Sequence, residues 1–204
     1  KNRKILYDRY GDRNISESLK NAYEFCCSHA SDINEHIPTL RRFAGECEHI
    51  TEFGTRGVVS TYAFMAAKPR KLLTYDLNIP REIWIAADIA GENNIDFGFM
   101  HRDVLAVEIE PTDLLFIDTW HSYTQLRQEL KLHSSRVKKY IIMHDTMAFG
   151  YLGEGDDKGL VLAIEEFLEG NKKWRLKEDH KYNNGLTVLE RVTPEIETPP
   201  IKYS

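Results

Sequence analysis

Short apolar runs alternate with longer amphipathic stretches along most of the chain. Seven runs have the length and the β-branched and aromatic content of strands. They lie at 49–53, 71–76, 95–101, 113–118, 140–144, 174–179 and 186–190. Helical periodicity follows the first, second, fourth and fifth runs, at 58–67, 80–93, 122–134 and 159–168. This alternation predicts an α/β fold, with a doubly wound, mostly parallel sheet and helices on both faces.

The two ends of the pattern differ from its middle. Asn183-Asn184-Gly185 between the last two strands is a hairpin signal and predicts a C-terminal antiparallel strand. Before the first strand, a helix from Ile15 and a second helix from Pro38 are predicted. Their inward residues are predicted to be Leu19, Ala22, Tyr23 and Cys26 in the first helix, and Leu40, Phe43 and Ala44 in the second.

These patterns divide the chain into three parts. Residues 1–47 are expected to form a helical extension packed on the core, residues 48–192 the core itself, and residues 193–204 an irregular tail with three prolines. Within the core, the predicted helix at 80–93 is expected to bury Ile83, Trp84, Ala87 and Ile89. The stretch 146–158, with three glycines and three acids, is predicted to be a mobile loop.

Composition narrows the function classes. A chain of 204 residues fits one α/β domain, and its net charge of −5 argues against a nucleic-acid surface. No apolar run approaches the ~18 residues that a membrane helix needs, and no signal peptide is evident at the start. The three cysteines have neither zinc spacing nor an even count, which favours reduced thiols and a cytoplasmic protein.

Acidic residues stand at or just after the ends of five successive predicted strands. Ligands of open α/β sheets bind at the carboxyl ends of the strands. The acids at this edge are Glu52, Asp76, Asp103, Asp118 and Asp145. A structural role alone does not require an acid on every strand, so this edge is the candidate site.

The segment Glu52–Gly57 is predicted to be a ligand loop between the first strand and the first core helix. Gly54 and Gly57 allow close approach of the backbone to a ligand, and Asp76 lies 22 residues after Gly54, a spacing typical of an acid that binds ribose hydroxyls. Plainer readings remain open: a simple tight turn, a helix cap or an ion pair with Arg56 for Glu52, and a helix cap for Asp76. The GxGxxG fingerprint of dinucleotide-binding proteins is absent, which disfavours a nicotinamide-dependent oxidoreductase.

A second set of residues carries a family resemblance. Phe116-Ile117-Asp118-Thr119-Trp120-His121-Ser122-Tyr123 is followed 21 residues later by His144-Asp145-Thr146. Together with Glu52-Phe53-Gly54 and Asp76, these segments resemble class I S-adenosylmethionine-dependent methyltransferases, across about residues 48–192. Within that class they resemble the metal-dependent O-methyltransferases, especially the cephalosporin-hydroxylase-like, macrolide-sugar and rhamnosyl enzymes. The resemblance implies a Rossmann-like fold, S-adenosyl-L-methionine as methyl donor and a divalent metal.

The resemblance also implies roles for individual residues. It implies cofactor contacts for residues at the ends of the first four strands and in the first core helix: Glu52, Gly54, Thr55, Ser60, Asp76, Asp103 and Asp118. It implies metal ligands at Asp118, His144 and Asp145, and a general base at His121, three residues after the first ligand. Relatives usually have an acid or an amide where this chain has His144, so His144 either binds the metal or orients a neighbouring ligand.

The implied chemistry is physically consistent. A divalent cation polarises a hydroxyl oxygen, and a neutral imidazole nearby can take its proton. Oxygen ligands suit Mg²⁺, while an imidazole ligand favours Mn²⁺ or a similar ion. Trp120 and Tyr123 are either core residues or walls of the acceptor site.

We therefore expect an S-adenosylmethionine-dependent O-methyltransferase acting on a sugar hydroxyl, such as that of a deoxyhexose (rhamnose) in a glycan or glycosylated metabolite. The alternatives are a nicotinamide-dependent oxidoreductase and a non-catalytic module that binds an adenosyl ligand. Since the chain begins at Lys1, it is also interpreted as a possible module of a larger glycan-modifying polypeptide, and homo-oligomers are possible.

Overall fold

A computed structural model describes residues 16–192, with side chains from residue 18 onward. Within this part of the chain, seven strands form one sheet in the order β3-β2-β1-β4-β5-β7-β6. The strands are β1 His49–Phe53, β2 Lys71–Asp76, β3 Asp96–His101, β4 Thr112–Ile117, β5 Val137–His144, β6 Trp174–His180 and β7 Leu186–Arg191. Strands β1 to β5 are parallel, and β7 runs antiparallel between β5 and β6. The predicted doubly wound sheet with a C-terminal hairpin is confirmed.

Helices cover both faces of this sheet. They are α1 Ser16–Ser28, α2 Ile37–Ala44, α3 Val59–Ala66, α4 Ile83–Glu92, α5 Tyr123–His133 and α6 Leu160–Gly170. The side chains of α1 to α4 share one buried cluster, and those of α5 and α6 share the other. Strand β4 serves both clusters, because Leu114 and Phe116 lie in the first, while Leu115 and Ile117 lie in the second. Burial on both faces explains why β4 is apolar without alternation.

The N-terminal helices pack on the core through α3. Both α1 and α2 contact α3, and α1 also contacts α4. Leu19 and Cys26 of the predicted stripe are buried, while Ala22 and Tyr23 are half-buried. Helix α1 begins at Ser16; the predicted start at Ile15, the rest of residues 1–15 and the predicted tail at 193–204 lie outside the described residues.

Helix α4 departs from its prediction. It begins at Ile83 rather than Pro80, and Trp84 is 65% exposed, with Ala87 also exposed. The buried positions are Ile83, Ala86, Ile89 and Ala90, which the three- and four-residue spacing puts on one face. The assignment of Trp84 and Ala87 to the core was wrong, because nearly every residue of this helix is apolar and hydrophobicity alone cannot select the face.

Two smaller expectations concern cysteines and membrane spans. All three cysteines are free thiols, Cys26 and Cys47 buried and Cys27 half-buried. Among residues 16–192, the longest helix has 13 residues, and none has the length and apolar character that crossing a bilayer requires.

The sheet changes direction of growth between β1 and β4. From β1 the chain builds outward through β2 and β3, then returns to place β4 on the other side of β1. Such a switch point leaves a crevice outside the carboxyl ends of the two central strands. Gly54 follows β1 and Asp118 follows β4, and the Asp118 amide donates to the carbonyl of Phe53 at 2.9 Å. Two of the candidate site residues therefore border this crevice.

Candidate functional site

Only glycine fits at position 54, because the backbone at the switch point leaves no space for a Cβ atom. Its φ is +86°, and a Cβ atom there would lie 1.8 Å from the carbonyl oxygen of Asp118. The close approach that the sequence predicted is therefore made to a neighbouring strand end. Gly57 differs: its φ is not in the left-handed region, and the nearest atom to a Cβ there is Val59 Cγ2 at 3.9 Å. A Cβ atom at Gly57 would therefore make only an ordinary van der Waals contact.

The loop after β1 is strained, and Asp76 holds it. Arg56 and Val58 have φ values of 40° and 59°, unfavourable for a long and a β-branched side chain. The Asp76 carboxylate accepts hydrogen bonds from the amides of Thr55 (3.0 Å) and Arg56 (2.9 Å) through Oδ2, and from the amide of Asn78 (2.7 Å) through Oδ1. Asp76 thus caps two loops, and its half-buried carboxylate keeps one acceptor position, on Oδ1, for a ligand.

Glu52 is fully buried and bonded to the first turn of α3. Its carboxylate accepts hydrogen bonds from the hydroxyls of Ser60 (2.5 Å) and Thr61 (2.7 Å). Burial raises the pKa of Glu52 to about 7, although these hydroxyls act in the opposite direction. The alternative pair with Arg56 is not formed, because Arg56 binds the Asp32 carboxylate at 2.8 Å.

Thr55 and Asp103 occupy different settings. Thr55 is buried, and its hydroxyl bonds to that of Thr74. Asp103 is exposed after β3 and caps the short turn Val104–Ala106 by accepting from the amide of Leu105 at 2.9 Å. The structure therefore does not bring Asp103 into the cluster formed by the next residues.

Asp118, His121 and Asp145 converge at the ends of β4 and β5. His121 Nε2 lies 2.8 Å from Asp145 Oδ2 and 3.3 Å from Asp118 Oδ1. One ligand-type atom from each of the three residues falls within 4.8 Å of the others, which is a spacing that one metal ion can span. Because β4 and β5 are adjacent and parallel, the residues that follow them are forced together at this edge.

Asp145 is locked in place by the hairpin loop. Its φ of 59° is a left-handed conformation that aspartate tolerates better than most residues. The side-chain amide of Asn184 donates to Asp145 Oδ1 at 2.8 Å, while the Asn184 carbonyl accepts from the amides of Met147 and Ala148, each at 2.9 Å. The other carboxylate oxygen is thereby left facing His121.

His144 lies on the same carboxylates, and its tautomer follows from its surroundings. Nε2 is 3.0 Å from the backbone oxygen of Asp32, which can only accept, so Nε2 carries a hydrogen. Nδ1 is 3.5 Å from Asp118 Oδ1 and 3.3 Å from Asp145 Oδ2, yet it is buried and makes no hydrogen bond. An imidazole lone pair facing two carboxylates is unfavourable unless a proton or a cation lies between them.

The charges of this cluster shift one another. Burial alone would lower the pKa of His121 and of His144, but Asp118 and Asp145 raise both pKa values to about 10. Burial alone would raise the pKa of the two carboxylates, and the histidines instead hold both below their usual values. Two anionic groups at this depth therefore demand positive charge beside them.

Three further polar residues surround the cluster, and none of them was assigned to the site from the sequence. Asp32 connects the N-terminal segment to both Arg56 and His144. Glu154 Oε1 lies 3.3 Å from His121 Nδ1. Glu129 is fully buried under Thr119, whose hydroxyl donates to it at 2.7 Å. Only Glu129 left a sequence signal, because it is an acid on the apolar stripe of α5.

The two aromatic residues of this segment differ in setting. Trp120 is 58% exposed and lines a cavity together with His121, Glu129 and His144. Tyr123 is half-buried, packs against the second cluster, and donates its hydroxyl hydrogen to Glu166 at 2.5 Å. Trp120 is thus available to a ligand, whereas Tyr123 links α5 to α6.

No protein-family model matches the chain, and no curated protein sequence matches it. Solved structures resemble its fold throughout. An O-methyltransferase from Bacillus cereus in complex with SAH is 15% identical, with a TM-score of 0.58, covering 93% of this chain and 96% of its own. The O-methyltransferase TomG from Streptomyces achromogenes, involved in tomaymycin synthesis and in complex with SAM, is 17% identical, with a TM-score of 0.58 and coverages of 93% and 95%.

A third solved structure is that of an enzyme that methylates nitrogen. The N-methyltransferase NodS from Bradyrhizobium japonicum, in complex with S-adenosyl-L-homocysteine, is 15% identical, with a TM-score of 0.60, covering 90% of this chain and 100% of its own. The shared architecture thus serves both oxygen and nitrogen acceptors. The strand order, the switch-point crevice and these structural similarities together show that this chain has the fold of the class I S-adenosylmethionine-dependent methyltransferases.

Proposed function

We propose that this protein is an S-adenosylmethionine-dependent O-methyltransferase that methylates a sugar hydroxyl with the assistance of a divalent metal. The observation that carries the proposal is the convergence of Asp118 and Asp145 on His121 Nε2, at 3.3 and 2.8 Å, beside the switch-point crevice. The crevice is the expected position of an adenosyl ligand in such a sheet. A base and two anionic ligands next to that position suit the activation of a hydroxyl.

The cofactor side is supported by the loops after β1 and β2. The Asp76 carboxylate remains half-buried at the strand end and keeps acceptor capacity for ribose hydroxyls, as well as holding the Thr55 and Arg56 amides. A Cβ atom at Gly57 would meet no atom nearer than 3.9 Å, so the loop is loosely packed at this residue, which favours close approach of a ligand. Glu52 and Ser60 support this region through their mutual hydrogen bond, which fixes the start of α3.

The donor set fits a divalent cation. Asp118 and Asp145 offer carboxylate oxygens, and His144 offers an Nδ1 that has no hydrogen-bond partner and faces the same oxygens. Two carboxylates and one imidazole suit Mg²⁺ or Mn²⁺, with the imidazole favouring Mn²⁺. When bound there, the cation would polarise and orient the oxygen of the acceptor. Asn184 and the Asp32 carbonyl would orient Asp145 and His144 behind it.

His121 is the group that would move a proton. Its Nε2 faces the space between the two carboxylates, so an acceptor hydroxyl there is within reach of this nitrogen. Once the negative charge of Asp118 and Asp145 is neutralised, Nε2 no longer has to hold a proton for them and can accept one from the hydroxyl. The acceptor oxygen would then bond in line to the methyl carbon of the sulfonium as the sulfur–methyl bond breaks, which would leave S-adenosylhomocysteine, and the positioning of the two reactants would supply much of the rate.

The acceptor side favours a neutral polyhydroxylated ring. Trp120 presents an exposed aromatic face and lines one cavity with His121, which the carboxylates of Asp118 and Asp145 flank. Carboxylates accept hydrogen bonds from hydroxyls and repel anionic acceptors, while the indole face packs against the C–H groups of a sugar ring. A deoxyhexose such as rhamnose, which has an additional methyl group, suits this combination.

Calorimetric titration with S-adenosylmethionine, with and without EDTA, tests the cofactor and metal parts separately. We expect binding in both conditions, and methyl transfer to a rhamnoside only when Mg²⁺ or Mn²⁺ is present. Absence of binding in both conditions would refute the proposal, and thermal protection by NADH instead would favour the oxidoreductase alternative. Binding without transfer to any acceptor, with or without metal, would favour a non-catalytic module. Methyl transfer to an amine in the presence of EDTA would refute two parts of the proposal, the metal dependence and the hydroxyl acceptor.

The base assignment has its own test. We expect His121→Ala to lower turnover by about 10²–10⁴-fold, because a positioned general base contributes about that much. Affinity for S-adenosylmethionine in EDTA should stay within about twofold of wild type, since neither neighbouring carboxylate is removed. His29→Ala is the matched control, because this histidine is exposed after α1 and bonds only to its local neighbours. Loss of cofactor affinity in His121→Ala without a turnover defect would contradict the assignment.

A further inference from the structure

Three contacts of His121 come from one segment, Phe149–Lys158, which we name the strap. Within it, the Glu154 amide donates to the His121 carbonyl at 2.8 Å, and Glu154 Oε1 lies 3.3 Å from His121 Nδ1. The Phe149 ring stacks on the imidazole, with 4.7 Å between centroids and 10° between planes. The strap therefore holds the backbone, the edge and the face of His121.

The strap is itself anchored beside His121. The Gly153 amide donates to the Asp157 carbonyl at 2.9 Å, which folds the strap back on itself, and Leu152 and Lys158 form an isolated β-bridge. A Cβ atom at Gly153 would lie 2.8 Å from the His121 carbonyl oxygen, so only glycine allows this approach. The placement of Glu154 thus follows from backbone packing.

A second anchor joins the strap to the start of α5. The Asp157 carboxylate accepts from the amide of Thr124 at 2.9 Å, and the Lys158 carbonyl accepts from the amide of Tyr123 at 2.8 Å. These bonds satisfy amides of the first helical turn, which lack partners within the helix. The strap and the helix that follows His121 therefore form one hydrogen-bonded unit.

We propose that Glu154 is a positioning residue that orients the His121 imidazole for proton transfer. This inference rests on the proposed function. A carboxylate only accepts, so the contact requires a hydrogen on Nδ1 and directs Nε2 toward Asp118, Asp145 and the acceptor hydroxyl. Phe149 sets the plane of the ring, and Glu154 sets its rotation within that plane. The Glu154 side chain is 29% exposed and contacts His121 but neither the Asp118 nor the Asp145 carboxylate, so its effect is on the orientation of the ring and not on metal binding.

The kinetic test compares Glu154→Ala, Glu154→Gln and the control Asp156→Asn. We expect Glu154→Ala to lower kcat by about 10–100-fold, as the loss of an orienting partner behind a functional histidine does. KM for cofactor and for acceptor should change less than about threefold. Glu154→Gln should recover most of kcat, because its amide oxygen can accept the same hydrogen bond. Asp156→Asn removes a charge from an exposed position of the strap and should stay within about twofold of wild type.

A second readout does not depend on turnover. Long-range ¹H–¹⁵N correlation spectra of the histidine rings, recorded on protein loaded with S-adenosylmethionine and Mg²⁺, should show His121 protonated at Nδ1. The same spectra should show loss of this single form in Glu154→Ala, with the thermal melt confirming that the variant is folded.

Several outcomes would overturn the inference. They are a Glu154→Ala kcat within twofold of Asp156→Asn, a defect confined to the acceptor KM, or a wild-type His121 protonated only at Nε2. If wild-type protein transfers no methyl group, the proposed function fails, and the ring spectra still decide whether Glu154 orients His121.

Discussion

Replacing Gly54 by alanine should damage the protein at the point where β1 meets β4. The added Cβ atom would lie 1.8 Å from the Asp118 carbonyl oxygen and 2.7 Å from its carbonyl carbon. Both strand ends are held, since the Gly54 amide donates to Tyr75 and the Asp118 amide donates to Phe53, each at 2.9 Å. The overlap is between backbones, so no change of side-chain rotamer can relieve it.

Two terms set the size of the effect. Alanine at a left-handed φ costs about 1–2 kcal/mol, and forcing an extra carbon into a packed site costs about 1–3 kcal/mol. The free energy of unfolding should therefore fall by about 2–5 kcal/mol, a large part of the ~5–15 kcal/mol typical of a domain. Urea denaturation followed by circular dichroism measures this loss.

Gly57→Ala is the matched control in the same loop. Its Cβ would meet only Val59 Cγ2 at 3.9 Å, and its φ is outside the left-handed region, so we expect a change within about 0.5 kcal/mol. If the two variants unfold at the same urea concentration, the close packing of Gly54 on Asp118 is wrong. If Gly54→Ala is destabilised as expected, metal affinity should also fall, because Asp118 must move.

Two further variants address charge and metal binding. Burial raises the pKa of Glu129 from 4.5 to about 7, so the folded state holds its proton more tightly than the unfolded state does. The resulting stability is fully present below pH 4.5 and is lost as the pH rises through about 7. The side chain in Glu129→Gln cannot ionise. The free energy of unfolding of this variant minus that of wild type should therefore be about 2–3 kcal/mol greater at pH 8 than at pH 5. The same difference at both pH values would contradict a buried carboxyl that titrates. Asn184→Gly permits the left-handed φ of 67° but removes the hydrogen-bond donor to Asp145. We expect the affinity for Mn²⁺, measured by calorimetry, to fall about 10–100-fold, while the affinity for S-adenosylmethionine in EDTA stays unchanged. An unaltered affinity for Mn²⁺ would exclude Asn184 from a role in the metal site.

The charge balance of the site links these variants. Asp118 and Asp145 draw positive charge from His121 and His144, whose pKa values they raise to about 10. A metal ion and two imidazolium groups are alternative ways of neutralising the same carboxylates. Metal binding should therefore release protons, which calorimetry in buffers of different ionisation enthalpy can measure.

Local patterning determined most of the fold from the sequence. Short apolar runs, helical periodicity and the Asn183-Asn184-Gly185 signal were sufficient for the parallel sheet and its closing hairpin, because strand and helix periods are properties of neighbouring residues. Element ends shifted by a few residues, as at α4, where propensity changes gradually while hydrogen bonds end at one residue. The buried face of α4 was assigned wrongly at Trp84 for a related reason: an apolar helix leaves its orientation to its tertiary neighbours.

The sequence also located the acids at one sheet edge, because each acid is adjacent to its own strand. Which of them meet depended on the strand order, which puts β4 beside β5 and so joins Asp118 to Asp145, while Asp103 follows a strand at the edge of the sheet. The contacts of Asp32, Glu154 and Asn184 with the cluster join segments that are far apart in the chain, and nothing local marks them. Chemistry carried by a residue and its immediate neighbours was readable from the sequence, whereas contacts between distant segments required the packing of the whole domain.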